Sequence, residues 1–277
     1  MDSQYSPQGF RVLPTMVKHL LIINVIVFLA TVVLARKGIF LEEYLSLYFF
    51  KSEKFHVWQY ITYMFMHANV SHLFFNMFAL WMFGYILENY WGSRRFLIFY
   101  IVCGLGAAFV HTLVTGFEYY GSLSAINVYA QDADPDAFVN LLQQKFSGFY
   151  RADVLDEFVN SWRESDILAW RDYELQSVKE AQAMLQASIS IPTVGASGAV
   201  YGILLAFGMM FPNQRIYLYF LLPIKAKWFV IMYIALELFE GIFATGDGVA
   251  HFAHLGGMLF GFFLIRLWRK NEFTRWD

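Results

Sequence analysis

The sequence predicts an all-α membrane protein: a six-transmembrane-helix bundle with an external amphipathic helical insertion between the third and fourth spans. Three observations predict it. Of 277 residues, 58% are hydrophobic and only 15% charged, with a mean hydropathy of +0.45; a soluble domain is about a quarter charged. Apolar stretches close to the roughly 20 residues that cross hydrocarbon recur six times. One long polar segment interrupts them midway.

The spans are expected at about 16–35, 71–90, 95–116, 197–212, 227–244 and 249–268. A semi-apolar stretch from Trp58 to Val70 precedes the second and is expected to dip into the interface. The fourth is short, and its start at Pro192–Ser197 is expected below the membrane surface. Six spans put both ends on one side. Arg11, Lys18, Arg94, Arg95, Arg215, Lys225, Lys227, Arg266, Arg269, Lys270 and Arg275 all fall on that side, which the positive-inside rule makes cytoplasmic. On the other side Arg36, Lys37, Lys51 and Lys54 are partly balanced by Glu42, Glu43 and Glu53.

The parts are then a cytoplasmic tail over 1–15, membrane spans one to three over 16–116 and an external insertion over 117–190. Spans four to six follow over 191–268, and a second cytoplasmic tail over 269–277. The insertion carries five Lys or Arg against twelve Asp or Glu, a net of −7. Asp134-Pro135-Asp136 reads as a helix start. Phe138, Leu141, Leu142 and Phe146 then recur at helical spacing, as do Val154, Leu155, Phe158, Val159 and Trp162. Leu175, Val178, Met184 and Leu185 suggest a third helix.

Composition also excludes function classes. A net charge of −2 gives no footing for a nucleic-acid partner. The single cysteine, Cys103, rules out an internal disulfide. The N-terminus has no short cleavable apolar core, so no signal peptide is expected.

Chemistry concentrates in three places. Gly195-Ala196-Ser197-Gly198-Ala199-Val200-Tyr201-Gly202 puts a serine where a loop turns into an apolar helix. Free backbone N–H groups of a helix's first turn can stabilise an oxyanion there. Gly195 and Gly198 permit a tight turn and close backbone approach. Gly198 and Gly202 are four apart, a small-residue face for helix packing. On the last span Gly257 and Gly261 supply a matching face, and His254 shares it. Packing these faces together brings His254 within reach of Ser197, and Tyr201, one turn below, can stack on the imidazole. A serine needs such a base to become a nucleophile. The third place is His72 with Asn76, one turn apart on one helix face. These two can donate to an oxyanion, or they can serve as polar glue between helices.

Together these motifs resemble the rhomboid family of intramembrane serine proteases. The resemblance rests on His72-x-x-x-Asn76, Gly195-Ala196-Ser197-Gly198 with Tyr201, and Ala253-His254-x-x-Gly257-x-x-x-Gly261, and it covers all six spans in order. It implies a Ser–His dyad without a carboxylate: Ser197 as nucleophile, His254 as general base, and an oxyanion hole of His72, Asn76 and the Ser197 N–H. Tyr201, Gly195, Gly198, Gly257 and Gly261 support them. It implies no cofactor and no metal, substrates that are transmembrane proteins in the lipid bilayer, and a multi-pass protein of a bacterial inner membrane with both termini cytoplasmic. Glu88 with Gly92 also fits the family, in a structural role. The family's Trp-Arg pair in its lateral first loop appears here as Trp58-Gln59. The 117–190 insertion exceeds the family core.

Other polar residues carry less. His251 lies one turn from His254 but outside the Ala-His-x-x-Gly context. His67 is expected in a structural role near the external interface, and His19, His56 and His111 carry no motif. Glu237 and Glu240 fall in the fifth span, as structural or gating groups. Asp247, in the 244–250 loop, is a weak candidate to orient His254. A metal-dependent alternative would use His67, His72, His251 and His254, but no H-E-x-x-H spacing is present. A non-catalytic relative that binds membrane helices would lack the serine or the histidine; both are here.

Overall fold

The computed structural model describes residues 11–218, 222–243 and 250–273. It is a helical bundle built from α1 (Thr15–Ala35), α2 (Glu42–Leu45), α3 (Gln59–Thr62), a 3-10 turn at Tyr63–Phe65, α4 (Val70–Trp91) and α5 (Ser93–Tyr129). Next come α6 (Pro135–Lys145), α7 (Ala152–Arg163), α8 (Ile167–Ile189) and α9 (Ser197–Met210). The antiparallel strands β1 (Arg215–Leu218) and β2 (Leu222–Lys225) lead into α10 (Ala226–Phe243) and α11 (His251–Phe273).

Among the described residues, α1, α4, α5 and α11 are long and apolar enough to cross a membrane. Helix α1 leaves Ile22, Ile26, Leu29 and Val33 exposed, as a helix facing lipid does. Helix α9 has 14 residues, about 21 Å at 1.5 Å per residue, too short for a hydrocarbon core of about 30 Å. It does not need the length, because it is the central helix, packed by α4, α5, α10 and α11 and buried along most of its course. Helix α10 carries Lys227, Glu237 and Glu240 in 18 residues, which lowers its apolarity.

Local signals set the helix ends. Pro14 cannot cap α1 with its side chain, and Glu88 of α4 does so from a distance: Oε1 accepts from Met16 N and Oε2 from Val17 N, both at 2.8 Å. Helix N-termini favour such an anion, which gives Glu88 the structural role its motif implied. Gly92, at φ +80°, lets the chain reverse from α4 into α5. Asn69 caps α4 by accepting from His72 N at 2.8 Å.

Helix α5 departs from expectation. The boundary expected at 116–117 falls inside it, since it runs unbroken for 37 residues to Tyr129, about 55 Å and well beyond a bilayer core. Its last turns carry the inserted helices. Ile126 and Tyr129 of α5 join Phe138, Leu141, Leu142, Phe146, Leu155, Val159, Trp162, Ala181 and Leu185 in a core separate from that of the bundle. Asp134 caps α6, accepting from Asp136 N and Ala137 N, with Pro135 at its start. The Tyr129 hydroxyl and Ser177 Oγ lie 2.5 Å apart. Val154 and Leu175, expected on buried faces, are exposed: α7 turns Leu155 inward, and α8 packs through Ser177, Ala181 and Leu185. The β1–β2 hairpin was not anticipated either.

The 36–69 segment closes against the bundle around Gln59, which is fully buried. Its Nε2 donates to Lys54 O at 2.8 Å and Tyr44 O at 3.3 Å, while Oε1 accepts from His56 N at 3.0 Å and Tyr48 N at 3.4 Å. An amide, with donors and an acceptor, thus anchors this loop from the position where the family pattern has arginine.

Candidate active site

The loop before α9 is tied down first. Leu47 and Thr193 exchange backbone hydrogen bonds at 2.9 Å each, and Gly195 N donates to Tyr63 O at 3.0 Å. Thr193 Oγ1 lies 2.7 Å from His111 Nε2, giving that motif-free histidine a partner. Gly195 has φ +128°, a conformation side-chain-bearing residues rarely adopt. A Cβ there would lie 2.8 Å from His72 Nε2 and 3.5 Å from Ser197 Oγ. The bare glycine therefore keeps open the small space that the imidazole of α4 and the hydroxyl of α9 both border.

Close helix approach supplies the second component. A Cβ on Gly257 would lie 1.9 Å from Gly198 O, and one on Gly202 would lie 2.4 Å from Cys103 Sγ and 3.0 Å from Gly257 O. Cβ positions at Gly198 and Gly261 would meet Ala107 Cβ at 2.3 Å and Phe99 Cζ at 3.0 Å. The two glycine faces read from the sequence do pack on each other, with α5 closing the third side.

At the end of that seam His254 Nε2 stands 2.9 Å from Ser197 Oγ. The Tyr201 and His254 rings are parallel within 4° at a centroid distance of 4.2 Å, which fixes the imidazole plane. Its other nitrogen, Nδ1, is 2.9 Å from Glu237 Oε2 on α10. The same oxygen is 2.9 Å from His251 Nδ1, and the Tyr201 hydroxyl donates to Oε1. Both Glu237 and His251 are buried. Sequence reasoning assigned Glu237 to gating or structure and weighed Asp247 as the partner of His254; Asp247 lies outside the described residues.

On α4, Asn76 Nδ2 donates to the His72 carbonyl at 3.1 Å. The His67 ring sits 5.1 Å from that of His72. Of the four histidines in the metal alternative, His251 and His254 are the two that come together with a carboxylate among the described residues. With Glu237 they offer three ligand atoms within 4.8 Å of one another, a set suited to a divalent cation. In the present arrangement the same three atoms are joined through hydrogen bonds.

Chemically, an imidazole that accepts from a serine hydroxyl at this distance can take its proton.

A Rhomboid domain model matches residues 54–126 and 175–271. The unmatched interval, 127–174, contains α6, α7 and the start of α8. The rhomboid protease GlpG of Salmonella choleraesuis is 35% identical over 77 residues, and that of Salmonella newport 34% over the same length. Each alignment covers 28% of this chain and 27% of the relative, so the chain spans about a quarter of the length of the curated relatives it matches. With most of its membrane bundle under one family model, this integral membrane chain belongs to the rhomboid family.

Proposed function

We propose that this protein is an intramembrane serine endopeptidase that hydrolyses peptide bonds in or near transmembrane segments of other membrane proteins. The observation that carries the reading is the 2.9 Å approach of His254 Nε2 to Ser197 Oγ at the N-terminus of a buried helix. Ser197 Oγ attacks the scissile carbonyl while its proton passes to His254 Nε2. The imidazolium then protonates the leaving amine, and a water, deprotonated by the same nitrogen, releases the acyl group. The Ser197 N–H with His72 and Asn76 would hold the oxyanion.

In the topology that goes with this reading, α1, α4, α5, α9, α10 and α11 are six spans with both termini cytoplasmic, in a bacterial inner membrane. Water reaches Ser197 from the external side, and substrates enter sideways past α10 and the 244–250 loop, of which 244–249 lie outside the described residues. The test is labelling. A fluorophosphonate should modify the wild-type protein in detergent and leave Ser197→Ala unmodified; label retained in Ser197→Ala sinks the reading.

Two further outcomes are expected. Asn76→Ala should slow turnover of a transmembrane substrate roughly 10- to 1000-fold, because loss of a principal oxyanion donor costs on the order of 2.7–4 kcal/mol and His72 shares the load. Ser197 should still accept a small phosphonate. Unchanged turnover in both Asn76→Ala and His72→Ala removes the pair from the mechanism.

The insertion is expected to govern substrate choice. Helices α5 and α11 run antiparallel, as the Gly106–Phe260 and Gly256–Val110 approaches require, so the extension of α5 leaves the bundle at the end where Ser197 lies. The acidic helices therefore branch from the same end of the bundle as Ser197. Replacing 130–189 with a Gly/Ser linker should keep Ser197 labelling. Cleavage of a substrate with its external domain should fall more than cleavage of a bare transmembrane peptide. Equal loss on both, with a lower thermal midpoint, would make the insertion a stabilising lid instead.

A further inference from the structure

The Ser–His pair does not act alone here. We infer that Glu237 is the third member of a Ser197–His254–Glu237 relay, a positioning residue that sets the tautomer of His254 and stabilises its charged form. The inference rests on the endopeptidase reading of Ser197 and His254 and departs from the two-residue site that the family resemblance implies.

The hydrogen bonds decide the roles. An ionised carboxylate only accepts. Glu237 Oε2 has two imidazole nitrogens at 2.9 Å, His254 Nδ1 and His251 Nδ1, and Oε1 receives the Tyr201 hydroxyl. With Glu237 ionised, all three partners are donors to one buried side chain. His254 must therefore carry its proton on Nδ1, which leaves the Nε2 lone pair to accept from Ser197 Oγ, 2.9 Å away. The opposite tautomer would point an N–H at the hydroxyl and could not take its proton. When Oγ bonds to the carbonyl carbon, the Oγ–H proton moves to Nε2 and the C=O pair moves onto the oxygen. The Nδ1 proton stays on His254. The positive charge that appears on the ring lies beside the carboxylate, in a site where low polarity strengthens the attraction. No proton passes to Glu237.

Tyr201 serves this geometry twice, since its ring stacks on His254 while its hydroxyl holds the carboxylate that orients the same imidazole. His251 occupies the second site on Oε2 and also lies 3.5 Å from Glu240 Oε2, so it is held between two acids of α10. A buried glutamate in a membrane helix is functional by default, and three matched donors explain how this one is tolerated.

The test compares Glu237→Gln, Glu237→Asp and the wild type in detergent. Glu237→Gln should lower kcat about 10²- to 10⁴-fold, by analogy with removal of the triad carboxylate in a soluble serine protease. KM should stay within about threefold, and the rate of fluorophosphonate labelling of Ser197 should fall in parallel. Glu237→Asp keeps the charge one methylene short and should recover at least tenfold of the loss. Nitrogen-15 NMR of histidine-labelled wild type, with His254→Ala to assign the signal, should show His254 as the Nδ1–H tautomer at neutral pH. That measurement needs no variant at position 237, so it decides the matter even if Glu237→Gln folds poorly. A wild-type Nε2–H tautomer overturns the relay, as does Glu237→Gln cleaving within threefold of wild type. Ser197→Ala separates the two readings: if it is inactive while Glu237→Gln is fully active, only the relay falls; if it still cleaves, the endopeptidase reading falls first.

Discussion

Ser197→Ala and His254→Ala are each expected to lower cleavage of a transmembrane substrate by 10⁴-fold or more, on the order of the losses seen when serine-protease nucleophile or base is removed. The double variant should be no slower than either single one. The reason is geometric. Oγ and Nε2 are 2.9 Å apart and share one proton, so removing either partner removes the same event, and their free-energy losses overlap instead of adding. Both truncations should fold. The two helices are held by glycine seams below the pair, at Gly198, Gly202, Gly257 and Gly261, and neither seam depends on the hydroxyl or the imidazole. Initial rates on a fluorogenic transmembrane peptide in detergent, with thermal midpoints alongside, check this. A double variant tenfold slower than the slower single one would mean that the two side chains act in separate steps.

The sequence made some of this arrangement legible and hid the rest for physical reasons. Ser197 and His254 were legible because each stands next to a glycine pair four apart, and such pairs mark where two membrane helices touch. The inserted helices were legible because they are amphipathic in water, where a period of 3.6 is visible. Helix α5 past 116 was not, since Glu118, Ser122 and Ser124 break the apolar run without breaking the helix; polarity marks where a lipid-facing segment ends, not where hydrogen bonding ends. Glu237 was hidden for a different reason. Helix α10 is apolar nearly all round, so its spacing does not say which side faces inward, and Asp247, nearer His254 in sequence, competed for the role. The crossing of α10 against α9 and α11 is what sets Glu237 beside His254, while Asp247 lies outside the described residues. Gln59 is the converse: the departure from the family's arginine was visible, but that an amide can make four hydrogen bonds in its place required the fold of the 36–69 segment.

Gly257→Ala is expected to cost both stability and nearly all activity, whereas Gly121→Ala should cost neither. A methyl group at position 257 would lie 1.9 Å from Gly198 O and 2.7 Å from Gly198 C. Both are backbone atoms inside a packed bundle, so no side-chain rotation relieves the overlap, and the helices must part by about an ångström or more. Overpacking of this kind costs about 1–3 kcal/mol, against which the better helix propensity of alanine returns roughly 0.5–1 kcal/mol. Activity should suffer more than stability. Gly198 follows Ser197 directly, and Gly257 lies one turn from His254, so the separation opens where the hydroxyl must meet the imidazole. A misplacement of about 1 Å can cost 10²-fold in rate. Gly121, in the extension of α5, has nothing within 4 Å of the corresponding position, so alanine there gains propensity without strain. The measurement pairs thermal midpoint with kcat for the two variants. A Gly257→Ala protein that retains wild-type kcat would show that the α9–α11 contact has slack, and that the 2.9 Å approach of Ser197 to His254 is held by something other than this seam.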